Sequence, residues 1–218
     1  MIAFDAASTG TKNVVDTATL TISHTVTGSN GILWVGIAAG SGDRVGTVTY
    51  NGVAMTQAVK KIDSAGNNNY VYLYYLVSPA TGTHNIVITP SLATALEACA
   101  ASYTGAAQTG LPDNTATTNN SSTTSMTETL TTVADNCWTV AFGGIQRPLT
   151  ASTGMTQRGS SGGTWGTIIG DSNGAITPAG SYSMSQTFSS IAAGNLSGVM
   201  ASFAPFVAST FTPSAIVI

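Results

Sequence analysis

The amino-acid sequence predicts an all-β chain, an antiparallel β-sandwich of about eleven or twelve strands. Three observations carry this reading. Apolar residues recur at period two in short runs, the spacing of strands with one or both faces buried. Gly, Pro, Asn and Asp punctuate the runs in the manner of a sandwich or barrel. No stretch holds the 3.6-residue apolar period of a helix over three turns. A chain of 218 residues suffices for one such unit, since all-β domains reach roughly 200–250 residues. A core of this size needs neither disulfide nor metal to hold it.

Taken in order, Ile2 to Phe4 reads as a short first strand. Ala18 to Val26 alternates Leu20, Ile22, His24 and Val26 with hydroxyl residues, the pattern of a half-buried strand. Ile32 to Ala38 is a central strand, closed by Gly40-Ser-Gly-Asp43. Val45 to Tyr50 and Val53 to Val59 flank Asn51-Gly52, the strongest short hairpin signal, because a type I′ turn needs positive φ at both central residues. Tyr70 to Val77 carries bulk on both faces and fits the middle of a sheet covered on each side. The turn Ser78 to Thr83 leads to strands at His84 to Thr89 and Ala95 to Tyr103. Gln108 to Thr124 is polar and reads as a loop with nothing to bury. Met126 to Val133 and Cys137 to Ile145 form a hairpin across Ala134-Asp-Asn136. Thr150 to Thr164 is Gly/Ser-rich, and Trp165 to Gly170, Ser181 to Phe188 and Leu196 to Phe203 complete the strands, with Asp171 to Gly174 as a turn. No linker divides residues 1–205, which are expected to form a single sandwich. Residues 206–218 differ: Phe206, Val207, Phe211, Ile216, Val217 and Ile218 are apolar without clean alternation and are interrupted by Pro213. They are expected either to fold back as an edge strand or to reach onto a neighbouring subunit as an extended arm, since left in water they form an exposed apolar patch.

Composition narrows the function classes. Charged residues are 7% of the chain, against ~25% in ordinary soluble domains. So lightly charged a surface protects poorly against association, which points to a homo-oligomer. Net charge is −3, and the only basic cluster is Lys60-Lys61; a nucleic-acid partner requires a positive footprint. No apolar run approaches the ~20 residues of a membrane helix. The segment MIAFDAASTGTKN lacks the basic start and apolar h-region of a secretory signal. Cys99 and Cys137 lie inside strand-like runs and read as two small buried thiols, with a single cross-strand disulfide as the alternative.

Catalytic signals are weak. Gly159-Ser-Ser161-Gly-Gly163 and Gly170-Asp-Ser172-Asn-Gly174 match the G-x-S-x-G pattern, but that motif works only on a strand-to-helix turn beside a His base, and no helix follows either. His24 and His84 lack a second ligand at metal spacing and read as structural. The nine carboxylates are scattered, mostly at turns, where Asp serves local hydrogen bonds. Asp63 to Asn69 and Asp171 to Gly174 gather oxygen ligands without the register of a calcium loop. The chain is expected to be non-enzymatic and to need no cofactor or metal. A glycan is the one small ligand with some weight, with Trp165 as its candidate contact; Trp34 and Trp138 fit strand cores.

Several runs, in order, resemble a β-sandwich module of bacteriophage virion proteins and some bacterial surface proteins. They are Leu33-Trp-Val-Gly-Ile37, Val48-Thr-Tyr-Asn-Gly-Val-Ala-Met-Thr56, Leu73 to Ile88, Ala101-Ser-Tyr-Thr-Gly105 and Trp138-Thr-Val-Ala141. The resemblance spans roughly residues 17–203 and rests on structural motifs, so it brings no catalytic residues. It implies a jelly-roll-like sandwich closest in character to capsid decoration or cement proteins, often trimers, assembled in the host cytoplasm and found in the virion. The partners it implies are further copies of the chain and the major capsid protein or other virion proteins, with Phe206, Val207, Phe211, Ile216, Val217 and Ile218 as the contact residues. Its alternative is a tail-fibre, receptor-binding or carbohydrate-binding module, or a bacterial surface adhesin domain.

Overall fold

The computed structural model describes residues 1–63, 68–120, 123–144, 149–162, 166–189 and 196–208. Its first half holds β1 (Ala3–Asp16), β2 (Leu20–Val26), β3 (Ile32–Ala39), β4 (Val45–Tyr50), β5 (Val53–Ala54), β6 (Thr56–Ile62), β7 (Tyr70–Val77), β8 (Gly82–Pro90) and β9 (Thr94–Thr104). The second half holds β10 (Asn114–Asn120), β11 (Ser125–Thr131), β12 (Trp138–Gly143), β13 (Leu149–Thr153), β14 (Thr156–Ser160), β15 (Ile168–Asp171), β16 (Ser181–Phe188) and β17 (Leu196–Phe203). All pairings are antiparallel, and the sheets pack face to face, as the alternating patterns predict.

The strands form four sheets, ordered β2-β8-β4-β5, β1-β9-β3-β7-β6, β10-β17-β12-β15-β14 and β11-β16-β13. The last two repeat the first two. Replacing β1, β2, β3, β4, β6, β7, β8 and β9 by β10 to β17 in turn reproduces every neighbour relation, and only the short β5 has no counterpart. Each half is a jelly roll, two sheets built from interleaved Greek keys. The bulges repeat as well. Register shifts between Val45 and Thr47 on β4 and between Gln57 and Val59 on β6 recur between Leu149 and Ala151 on β13 and between Gln157 and Gly159 on β14. The all-β sandwich class expected from the sequence is present, but as two jelly rolls where a single sandwich was expected over residues 1–205.

The two five-stranded sheets lie back to back, and the largest core fills the space between them. Ile32, Trp34, Val71, Leu73, Cys99, Ala101 and Tyr103 come from one half, and Trp138, Val140, Phe142, Ile169, Val199, Ala201 and Phe203 from the other. Residues at matching positions meet across it, as in a two-fold dimer. Ile32 pairs with Tyr103 and Trp138 with Phe203, so these two aromatics are counterparts, and their ring centroids lie 5.1 Å apart. Gly36 opposes Leu73 and Phe142 opposes Ile169, which makes Gly36 and Phe142 counterparts too. A Cβ on Gly36 would collide with the Phe142 ring. Two phenylalanines there would clash and two glycines would leave a void, so the halves differ where the interface is tightest.

β7 shows why its sequence has bulk on both faces. Val71 and Leu73 enter this shared core, while Tyr72 and Tyr74 enter the interior of the first jelly roll with Ile22, Ile37, Tyr50, Ile86 and Ile88. The Asn51-Gly52 turn joins β4 to β5 with φ of 49° and 76°, as expected. The strand expected over Val53 to Val59 instead breaks at Met55, leaving β5 in the outer sheet and sending β6 to the central one. The turn after β7 likewise leads to a strand in the opposite sheet. The expected hairpin of Met126 to Val133 with Cys137 to Ile145 does not form: β11 pairs with β16, and β12 with β15 and β17. The expected loop over Gln108 to Thr124 contains β10, which pairs with β17 along its whole length. Seventeen strands among the described residues thus stand against the expected eleven or twelve.

Candidate functional site

A cleft of about 520 Å³ opens at one end of the second jelly roll, lined by Met1, Ile2, Asn136, Trp138, Asn173, Gly174, Ala175, Pro205 and Phe206. Two corners form its floor. Asn136, between β11 and β12, and Asn173, after β15, both hold positive φ (61° and 50°), which Asn tolerates better than other side-chain-bearing residues. The corners are stapled together: Asn136 N–H donates to Ile176 O at 2.9 Å, and Ile176 N–H to Cys137 O at 2.8 Å. Asn173 is fixed further by its N–H to Asp171 Oδ1 at 2.8 Å and by Arg158 Nη2 donating to its Oδ1 at 2.7 Å.

The chain leaving β17 forms one wall. Ala107 N–H donates to Ala204 O at 2.9 Å, and Phe206 N–H to Gly105 O at 2.8 Å, so this segment runs antiparallel to the one leaving β9. The segment before β1 forms another wall, pressed so closely on Gly105 (φ 70°) that a Cβ there would strike the Met1 carbonyl. Phe206 is 42% exposed and Val207, just outside the cleft, 81%. Among the described residues no side chain of the lining ionises, and the surface they form is apolar with two amides. Such a lining suits an apolar segment that also offers backbone hydrogen bonds.

Beside the cleft lies a buried ion pair that ties the halves together. Arg158 Nε and Nη2 donate to Asp171 Oδ2 and Oδ1 at 2.6 and 3.0 Å, and Tyr103 Oη of the other half donates to Oδ2 at 2.8 Å. The guanidinium also sits 4.2 Å from the Phe4 ring centroid. Asp171, expected in an open turn, is therefore the buried last residue of β15.

Of the residues singled out from the sequence, Phe206 and Val207 lie at the cleft. Phe211, Ile216, Val217, Ile218 and Trp165 lie outside the described residues. Trp34 and Trp138 are buried in the shared core, as expected. Cys99 and Cys137 are free and buried, and burial pushes each thiol up to about 12. Ser161 is buried against Glu97 and Thr167, and Ser172 Oγ donates to Gly174 O within its own turn at 2.9 Å. His24 and His84 are direct register partners on β2 and β8, each edge-on to Tyr50. Burial pushes His24 down to about 4. Among the described residues no three His, Cys, Asp or Glu side chains gather as a metal site. Asp63 accepts from Asn69 N–H at 3.1 Å, while residues 64–67 of that segment lie outside the described residues. Sequence reasoning missed the parts of the cleft that come from Met1, Ile2, Asn136 and Asn173 to Ala175. These residues are far apart in the chain and meet only because β1, β12, β15 and β17 end together. Comparison with protein-family models, curated proteins and solved structures found no match.

Proposed function

We propose that this chain is a non-enzymatic structural protein of a bacteriophage virion, a decoration or cement protein that stabilises the head through contacts between subunits. The observation that carries the reading is the apolar cleft with Phe206 and Val207 held in water at its rim. Apolar side chains grouped this way mark interaction surfaces. The low charge supports it, since covered surface needs little electrostatic protection. The architecture is compatible with it, because jelly rolls build capsid and lectin domains, but a fold hosts many roles and the site must carry the argument. In this role the protein adds apolar and backbone-pairing surface at junctions between subunits, and its partners are further copies of itself and the major capsid protein. Mass spectrometry and cryo-electron microscopy of purified virions test this. The reading expects the protein as a regular layer on the head; its absence from particles, or its confinement to the tail, refutes decoration.

A further inference from the structure

We propose that the cleft receives residues 209–218 of a second copy of the chain, with Phe211 as the side chain that enters it. This deepens the assembly reading and rests on it only in taking the partner to be another copy.

The internal repeat shows what covers the corresponding place in the first jelly roll. The counterparts of Asn136 to Trp138 are Asn30 to Ile32, and those of Asn173 to Ala175 are Val77 to Pro79. Asn30 shares the positive φ of Asn136 (50° and 61°). There the segment leaving β9 folds back over its own corners. Ala106 N–H donates to Asn30 O at 2.9 Å, and Gly105 N–H to Ser29 O at 3.2 Å. Gln108 Nε2 donates to Gly31 O at 3.4 Å, and Gln108 also bonds Ser78. Leu111 then packs against the shared core, and its carbonyl accepts from Tyr75 Oη at 2.7 Å. Carrying the equivalence of Tyr103 and Phe203 forward, 105–111 corresponds to 205–211, and Leu111 to Phe211.

Over Pro205 to Ala208, the segment leaving β17 does not make the matching return. Pro205 has no N–H to offer where Gly105 offers one. Phe206 N–H is given to Gly105 O of the first jelly roll, whereas Ala106 N–H stays with its own corner. Val207 and Ala208 are then exposed. The segment therefore departs at the residue where its counterpart enters, and an identical segment from a neighbouring copy is the natural occupant. Its chemistry matches: Ser-Thr-Phe-Thr-Pro-Ser-Ala-Ile-Val-Ile carries no charged side chain, and neither do the described residues of the cleft.

The test is a disulfide trap in the full chain. Gly174→Cys places a thiol in the lining, where a Cβ meets nothing closer than Ser172 O at 4.0 Å, and Phe211→Cys places one on the incoming segment. Cys99 and Cys137 are buried and give little background. The two single variants are mixed and oxidised beside a Gly174→Cys/Phe211→Cys double variant, with Ala175→Cys as a second probe should Gly174→Cys fail to fold. A disulfide-linked species of twice the chain mass in the mixture is expected. A link formed only within the double variant means that each chain fills its own cleft and overturns the proposal, as does no link in either sample. Particle incorporation is read separately. Cross-linking without incorporation sinks the virion reading alone, and incorporation without cross-linking sinks this inference alone.

Discussion

Stability should fall with rising pH above neutrality, through one buried carboxyl. Glu128 on β11 lies between the two sheets of the second jelly roll with its side chain almost wholly buried. Its Oε1 is 3.5 Å from Gln186 Nε2, while its Oε2 and Gln186 Oε1 have no hydrogen-bond partner among the described residues. Protonating Glu128 removes the buried charge and turns one unsatisfied acceptor into an O–H donor, which lowers the cost of burying it. Burial pushes Glu128 from 4.5 up to about 8. Between those values the folded chain holds a proton that the unfolded chain has released, so stability drops as pH rises. His24 acts in the opposite sense. Its buried ring is pushed from 6.5 down to about 4, so between these values the unfolded chain takes up a proton that the folded chain refuses, and stability rises with pH. Each slope is ~1.4 kcal/mol per pH unit, and the two cancel between about pH 4.5 and 6.5. From 6.5 to 8 only Glu128 acts, and about 2 kcal/mol is lost, a fall in Tm of roughly 4–8 °C for a chain of this size. Urea titrations and calorimetry at constant ionic strength across that window read this directly. Glu128→Gln keeps a donor facing Gln186 and should be level from pH 6.5 to 8. A wild-type chain equally stable at both ends of the window, or a Glu128→Gln variant that keeps the loss, refutes the reasoning.

Two further predictions concern the interface between the jelly rolls. Gly36→Ala should cost ~1–3 kcal/mol by overpacking against Phe142 and Phe142→Ala ~3–5 kcal/mol by leaving a cavity; the double variant should cost less than their sum in a denaturant-based cycle, and simple additivity would deny that the two meet. Asp171→Asn should cost ~3–5 kcal/mol, because it strands Arg158 without its buried counter-charge, whereas Tyr103→Phe removes one hydrogen bond to a charged group and should cost ~1.5–3 kcal/mol; equal costs in urea unfolding would argue against the pair as the anchor.

What the sequence revealed follows from where each strand sits. Interior strands such as β3, β7 and β9 need apolar residues on both faces, and these were legible in Ile32 to Ala38, Tyr70 to Val77 and Ala95 to Tyr103. The strands that were missed or cut short, β1 beyond Phe4, β10, β13 and β14, are all at sheet edges. One side of an edge strand faces solvent, so backbone pairing rather than burial holds Thr, Asn and Gly there, and the sequence reads as loop. The duplication leaves a trace in the sequence. Met55-Thr-Gln57 recurs as Met155-Thr-Gln157, and Ala101-Ser-Tyr103 as Ala201-Ser-Phe203. Those serines do matching work: Ser102 Oγ donates to Asp5 and Ser202 Oγ to Asp113, each at 2.8 Å. Each carboxylate also accepts a backbone N–H from just beyond β2 or β11, Thr27 at 2.9 Å and Val133 at 2.8 Å. Elsewhere the copies have drifted too far for matching by eye. Ile22 and Ile88 in the first jelly roll correspond to Glu128 and Gln186 in the second. The cleft was half legible: the apolar run from Phe206 pointed to it, but the corners that complete it are ordinary turn residues whose proximity only the topology supplies.

Copies of the chain are proposed to assemble at the end of the molecule that bears Phe206. Sedimentation equilibrium of the full chain, beside a chain lacking residues 206–218, tests this most directly. An assembly larger than one chain is expected, reverting to a single chain on deletion with the same urea midpoint for the sandwich core. A full-length chain that stays single at high concentration, or an assembly that survives the deletion unchanged, would contradict it.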